Sequence, residues 1–270
     1  MKHMMLYNWC GCLGDYDPSL PYDEFIIAQS HMVKQRTIGT LGHDVLILTA
    51  HPPTITLGAR SVREQISHIR VLPPEIYARH RSDDELFEEA KTYLGRHHHI
   101  NLVKTNRGGS LWYHDHGVLQ LYLVARVNPF GKSDVIDPLE EVMRRVLCDI
   151  GISAARADNN IRRRNNSFIG LWVKHKRIAA LGVRIQKGGK HFVSMFGASL
   201  NIKQCQASSA CIDPCGITGC EMTSIAQELG NGYGIPHSWI VPLISKHTQD
   251  VFDIQLIEKK FRPWEKQTCE

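Results

Sequence analysis

A thiol set between proline and glycine, in Asp213-Pro214-Cys215-Gly216-Ile217-Thr218-Gly219, is the part of this chain best equipped for chemistry. Its neighbours place the cysteine on a tight turn with its side chain offered outwards. Well upstream, Arg107-Gly108-Gly109-Ser110-Leu111-Trp112-Tyr113-His114 sets two glycines, whose bare backbone a ligand can approach, ahead of a histidine. A thiol attacks as its thiolate and therefore needs a positive charge or a base beside it. Together the two segments point to acyl transfer through a cysteine, in which a thioester forms on the protein and is then passed to an acceptor.

Four blocks of the chain resemble, in the same order, the lipoyl(octanoyl) transferase family. They are Leu46-Ile47-Leu48-Thr49-Ala50-His51-Pro52-Pro53-Thr54-Ile55-Thr56-Leu57-Gly58, the Arg107 to His114 block, Arg177-Ile178-Ala179-Ala180-Leu181-Gly182-Val183-Arg184, and Phe196-Gly197 through Thr223. With the segments between them they span about residues 20–230. The resemblance implies transfer of an octanoyl group from acyl carrier protein to a lysine of a lipoyl domain, as in the 2-oxoacid dehydrogenases or the glycine cleavage H protein. It implies no cofactor, whether metal, ATP or other nucleotide. It makes Cys215 the nucleophile and places Arg177 and His114 beside it. The substrate-binding set it implies is Arg107, Gly108, Gly109, Ser110, Leu111, Trp112, Tyr113 and His114, then Ala180, Leu181 and Gly182, then Gly197, Ala198 and Ser199. The glycines would also let backbone N–H groups face an acyl carbonyl oxygen.

The sequence departs from the family's pattern in three places. Arg177 stands where the family has a lysine, with Lys176 one place earlier. An arginine can hold a thiolate electrostatically, but it does not give up its proton at ordinary pH. Lys176 would take over only if a bulge or the turn brought it round, because adjacent residues of a strand face opposite ways. Phe196 stands where the family usually has a histidine, leaving His114 as the imidazole expected to orient a carbonyl or relay a proton. Asp115-His116-Gly117-Val118 replaces Gly-Pro-Gly-Gln in the turn after His114. Two alternatives stay open at this level: a related ATP-dependent lipoate ligase, and a silent homologue that binds an acyl group or a lipoyl domain without turning it over.

Composition narrows the partners. With 270 residues and 43% hydrophobic content, the chain is expected to form a single catalytic domain over 1–270, its core in about 20–230, with an insertion at 62–98 and a C-terminal extension at 231–270. A monomer is expected. The net charge of +5 falls short of a nucleic-acid-binding profile and suits an acidic protein partner, with Arg162-Arg163-Arg164 as a basic loop to meet it. No apolar run is long enough to span a bilayer, and Asn8 and Asp15 interrupt what resembles a secretory start, so a cytoplasmic setting is expected. Eight cysteines without regular spacing fit that setting. Cys205, Cys211, Cys215 and Cys220 contain no C-x-x-C pair and do not read as zinc ligands. His97-His98-His99 reads as a solvated loop, and Cys148 as a core or boundary thiol.

The elements that must position these residues read as mixed α/β (α+β). Phe25, Ile26, Met32 and Val33 recur at helical spacing between Pro21 and Ile38, and Asp44 to Ala50 runs as a buried strand. A short helical pattern lies around Leu86 to Leu94. Strands are expected at Asn101 to Thr105, Ser110 to Tyr113 and Val118 to Val124. Asp137 reads as the N-cap of a helix, with Pro138 in its first turn, Glu140 in a capping box and Gly151 at its end. A hairpin follows, Phe168 to Val173 and Arg177 to Ile185, turning at Lys174-His175-Lys176, with a strand at Phe192 to Ile202. Strands outnumber crossover helices, which predicts a mixed, mostly antiparallel sheet with flanking helices. The resemblance implies the same thing as a biotin/lipoate protein ligase-like, class II synthetase-like fold.

Overall fold

A computed structural model of the chain describes residues 2–8, 20–78, 82–128, 131, 133–157, 169–203, 210–230 and 235–259. The Arg162 to Arg164 loop and Cys10, Cys12, Cys205 and Cys269 lie outside them. In chain order the strands are β1 (His3–Asn8), β2 (Asp44–Thr49), β3 (Thr54–Leu57), β4 (Asn101–Lys104), β5 (Trp112–His114), β6 (Val118–Val124), β7 (Arg126–Val127), β8 (Ala155–Arg156), β9 (Gly170–Val173), β10 (Lys176–Gly188), β11 (His191–Asn201) and β12 (Gln255–Lys259). The helices are α1 (Tyr22–Ile38), α2 (Val62–Ile66), α3 (Pro74–Ala78), α4 (Asp83–His98), α5 (Ser133–Asp149), α6 (Ile225–Glu228) and α7 (His237–Phe252).

The main sheet runs β12-β1-β2-β6-β11-β10-β9-β8, with β7 on β11. Only β1 pairs in parallel, with β2 and β12; the other ladders of this sheet are antiparallel, as the strand count predicts. Strands β2 and β6 are apolar along nearly their whole length because both faces are covered. Alternate residues go to alternate sides: Val45, Ile47, Tyr122 and Val124 pack under α1, while Leu46, Leu48, Leu121 and Leu123 join a core with α5 and α7. Burying a leucine or valine on such a face contributes about 1.5–3 kcal/mol.

A second sheet, β4-β3-β5, carries its own core. Residues 62–98 are integral to that core. Ile66, Ile76, Leu86, Phe87, Ala90 and Leu94 pack with Ile55, Leu57, Leu102, Leu111 and Tyr113. The helical pattern read around Leu86 to Leu94 extends to all of α4, which a full capping box between Ser82 and Glu85 starts. His97 and His98 lie in the last turn of that helix, with His97 against the Tyr93 ring at 4.4 Å, and His99 caps it in the left-handed region. They are solvated or half-solvated, as expected, but two of the three are helical.

Helix α5 begins at Ser133, a turn before Asp137, and Pro138 sits inside it. Val135 is fully buried and extends the apolar stripe backwards, so packing draws the extra turn into the helix against the proline's lost hydrogen bond. Glu140 makes no capping box. Its side chain is buried, accepts the Gly170 N–H at 2.9 Å and meets Arg156 at 3.2 Å. Cys148 is exposed on this helix, contrary to the core or boundary reading. No described helix is long and apolar enough to cross a membrane.

Candidate active site

Cys215 stands at the apex of a short 3-10 turn, Pro214–Gly216, with φ 58° and ψ 19°. A non-glycine residue in this left-handed region costs about 1–2 kcal/mol, so its surroundings must hold it there. They do so from both sides. Upstream, Arg70 N–H donates to Cys211 O at 2.8 Å, Asp213 N–H to His68 O at 2.8 Å and Cys215 N–H to Leu111 O at 3.0 Å. The Asp213 carboxylate accepts from Arg70 Nε at 2.9 Å and lies 3.2 Å from His68 Nδ1. Downstream, Arg177 N–H donates to Glu221 O at 2.8 Å and Thr223 N–H to Arg177 O at 2.9 Å, so the cysteine loop is tied directly to β10.

The turn opens on a narrow cavity on the α1 side of the main sheet. Most of the expected set lines it: Cys215, Arg177, His114, Arg107, Gly108, Gly109, Trp112, Ala180, Leu181, Gly182, Gly197, Ala198 and Ser199. Ser110, Leu111 and Tyr113 do not. Strand alternation sends Trp112 and His114 to the cavity and Leu111 and Tyr113 into the second core, where Leu111 contributes only its carbonyl to Cys215. The paired glycines act through close approach: a Cβ on Gly108 would sit 2.9 Å from Val183 O, and one on Gly182 would sit 3.0 Å from Gly108 O. Bare backbone is what lets the Arg107 loop lie on β10.

Four cavity residues escaped the sequence reading of the site: Tyr22, Gln120, Tyr122 and Phe196, the last noted only as a departure. Gln120 and Tyr122 had a signal, two polar-tipped residues at period two in an otherwise apolar strand. Tyr22, at the first turn of α1, had none.

The electrostatics centre on two buried cations. The Arg177 guanidinium lies 5.6 Å from the Trp112 ring and 5.4 Å from the Trp172 ring, and donates to Ala179 O at 3.3 Å and to Ile169 O. The bulge considered for Lys176 exists, between Arg177 and Ala179, yet Lys176 remains part-exposed, 3.9 Å from Glu221. The arginine, not the lysine, faces the cavity. Arg107 donates to Thr56 O at 2.9 Å and Thr56 Oγ1 at 2.8 Å. Burial works against its charge, while Tyr22, Cys215 and Tyr122 favour it, which places this second cation within electrostatic reach of the thiol. Cys220 is a poor rival nucleophile, because burial pushes its thiol up to about 11 against a smaller opposing pull from Arg177.

His114 is buried, with Nε2 3.1 Å from Thr56 Oγ1. Burial first, then His51 and Arg107, hold it well below the ordinary histidine range, with Gln120 acting the other way. It is therefore a neutral imidazole that can hydrogen-bond a carbonyl or an amine. His51 sits behind it, 3.0 Å from Tyr122 Oη and 3.2 Å from Leu20 O, and burial lowers its pKa to about 4.

These two buried histidines make stability pH-dependent. The unfolded chain takes up protons near pH 6.5 that the folded His51 refuses until about pH 4, so the stabilisation is complete above the unfolded value and lost as pH falls between them. For His51 alone the loss is about 3 kcal/mol. Urea unfolding midpoints should drop across that window in the wild type and drop less steeply in His51→Gln. An equal slope in both proteins would remove His51 from the account.

Residues 19–247 match the lipoyl protein ligase A/B catalytic domain family. An octanoyltransferase of Chloroflexus aggregans is 33% identical over 235 residues, covering 85% of this chain and 87% of the relative. An octanoyltransferase of Roseiflexus sp. is 29% identical over 94% of this chain and 90% of its own. Among solved structures, lipoate-protein ligase A bound with ATP superposes with a TM-score of 0.63 at 12% identity, covering 97% of this chain and 90% of the other. The bipartite lipoate protein ligase of Thermoplasma acidophilum gives 0.61 at 12%, covering 97% and 87%. At those identities the structural likeness establishes the fold, which is the one the sequence resemblance implied.

Proposed function

Because the chain belongs to the lipoyl protein ligase A/B catalytic domain family and is an acyltransferase, we propose that it carries an octanoyl group from acyl carrier protein to a lysine of a lipoyl domain through a thioester on Cys215. The observation that carries the reading is a cysteine held in a left-handed turn at the opening of a narrow cavity in the sheet face, with Arg177 and Arg107 beside it. The curated relatives named octanoyltransferase support the acyl group and the reaction class.

In this reading the Cys215 thiolate attacks the carbonyl carbon of the donor thioester. A new C–S bond forms, the bond to the carrier's thiol breaks, and the departing thiolate takes up the proton that Cys215 released to solvent. The acceptor lysine then attacks as its neutral amine. A C–N bond forms, the bond to Cys215 breaks, and the ammonium proton passes to the freed thiolate or to water. One thioester becomes another before the amide forms, so the steps balance without ATP. Arg177 holds negative charge at the sulfur and does not move protons, which fall to the substrate amine, water and neutral His114. The unit that acts is the whole chain as one domain, acting as a monomer. Its acceptors are lipoyl domains such as those of 2-oxoacid dehydrogenases or the glycine cleavage H protein.

The experiment is to mix the protein with octanoyl-acyl carrier protein and a lipoyl domain in the absence of ATP. The acceptor should gain one octanoyl group. Modification only when octanoate and ATP are supplied would make the protein a ligase, and no modification under either condition would make it a silent binder.

A further inference from the structure

We propose that Phe196 closes the far end of the acyl cavity and sets the length of acyl chain the protein accepts; this rests on the reading of Cys215 as the acyl carrier. The observation is a break in strand alternation. On β11, Val193 and Met195 pack on the α1 side, and Ala198 and Leu200 on the α5 side. A regular pleat sends residue 196 with the second pair, as it sends Val183, its cross-strand partner. Phe196 instead adopts φ 71°, and its side chain joins Tyr22, Phe25 and Tyr122 on the α1 side, buried against the cavity. A bulky aromatic residue rarely adopts this conformation, and here the conformation is what turns the ring into the cavity.

The length follows from the register. Ala180 packs with Cys215 and Trp112 at the thiol end. Three residues further along β10 is Val183, opposite Phe196, a run of about 10 Å at the rise of a strand. That is close to the span of an extended eight-carbon acyl chain. Between the two ends Gly182 pairs with Gly197, so β10 and β11 raise no side chain there, and Tyr122, across from Gly197 on β6, forms the side wall. Along β10 and β11 the path runs over bare backbone and ends on an aromatic ring.

The test is acylation of Cys215 by hexanoyl, octanoyl, decanoyl and dodecanoyl thioesters of one small thiol, followed by intact mass. Wild type should react fastest with octanoyl and fall off sharply at decanoyl. Phe196→Gly, which suits the left-handed backbone, should raise the decanoyl-to-octanoyl rate ratio at least tenfold. Phe196→Trp should move the optimum towards hexanoyl. Cooperative thermal unfolding of each variant shows that it is folded. Chain-length ratios equal to wild type in a folded variant would overturn the proposal while leaving Cys215 as the acyl carrier. No adduct on wild-type Cys215 with any chain would overturn both.

Discussion

Cys215→Ser should lose at least about 10⁴-fold in octanoyl transfer to a lipoyl domain, because a serine hydroxyl in the same turn is scarcely ionised and attacks a thioester far more slowly. The fold should persist, since the backbone bond from residue 215 to Leu111 O does not involve the side chain. Cys211→Ser and Cys220→Ser are the controls. Cys211 is buried in the second core, and burial keeps the Cys220 thiol protonated, so neither is expected to carry the acyl group. A Cys211→Ser cost would appear as stability, about 1–3 kcal/mol for a hydroxyl moved into the second core. Transfer that survives in Cys215→Ser and vanishes in Cys220→Ser would reassign the nucleophile.

The second large effect is expected at Arg177. Arg177→Gln removes a buried cation from the cavity and weakens the bonds to Ile169 O and Ala179 O. Transfer should fall by about 10²-fold. Stability should fall as well, by about 2–4 kcal/mol, because the cation–ring contacts with Trp112 and Trp172 are lost while the carbonyl bonds are weakened. Arg177→Lys separates charge from packing, since it keeps the cation and restores the residue implied by the resemblance. Alkylation of Cys215 by iodoacetamide at neutral pH should slow in Arg177→Gln and be largely retained in Arg177→Lys. An unchanged alkylation rate in folded Arg177→Gln would leave Arg177 a packing residue between two tryptophans.

Much of this was legible in the chain, for reasons that differ by element. Strands β2 and β6 showed themselves because a strand buried on both faces is apolar along nearly its whole length, and α1 because Phe25, Met32 and Val33 keep helical spacing. The start of α5 was misplaced because Asp137-Pro138 is a strong local start signal, and burial of Val135 against the sheet is a long-range fact. Strand β1 resembled a weak secretory start; its strandness comes from lying between β2 and β12, two segments far apart in sequence. In the site, the glycine pairs and Cys215 announced themselves by residue type. Leu111 and Tyr113 were placed in it because a motif is contiguous, whereas a strand offers a cavity only every second side chain. Tyr22 and the turned ring of Phe196 depend on packing between α1 and β11, and on a backbone angle that residue type does not announce.

The most direct measurement is the intact mass of the protein after brief mixing with octanoyl-acyl carrier protein alone, with no acceptor and no ATP. The account predicts a single octanoyl adduct that hydroxylamine removes, that maps to Cys215, and that disappears with lipoyl domain modification when the acceptor is added. An unmodified protein that nevertheless octanoylates the lipoyl domain, or an adduct on a residue other than Cys215, would contradict it.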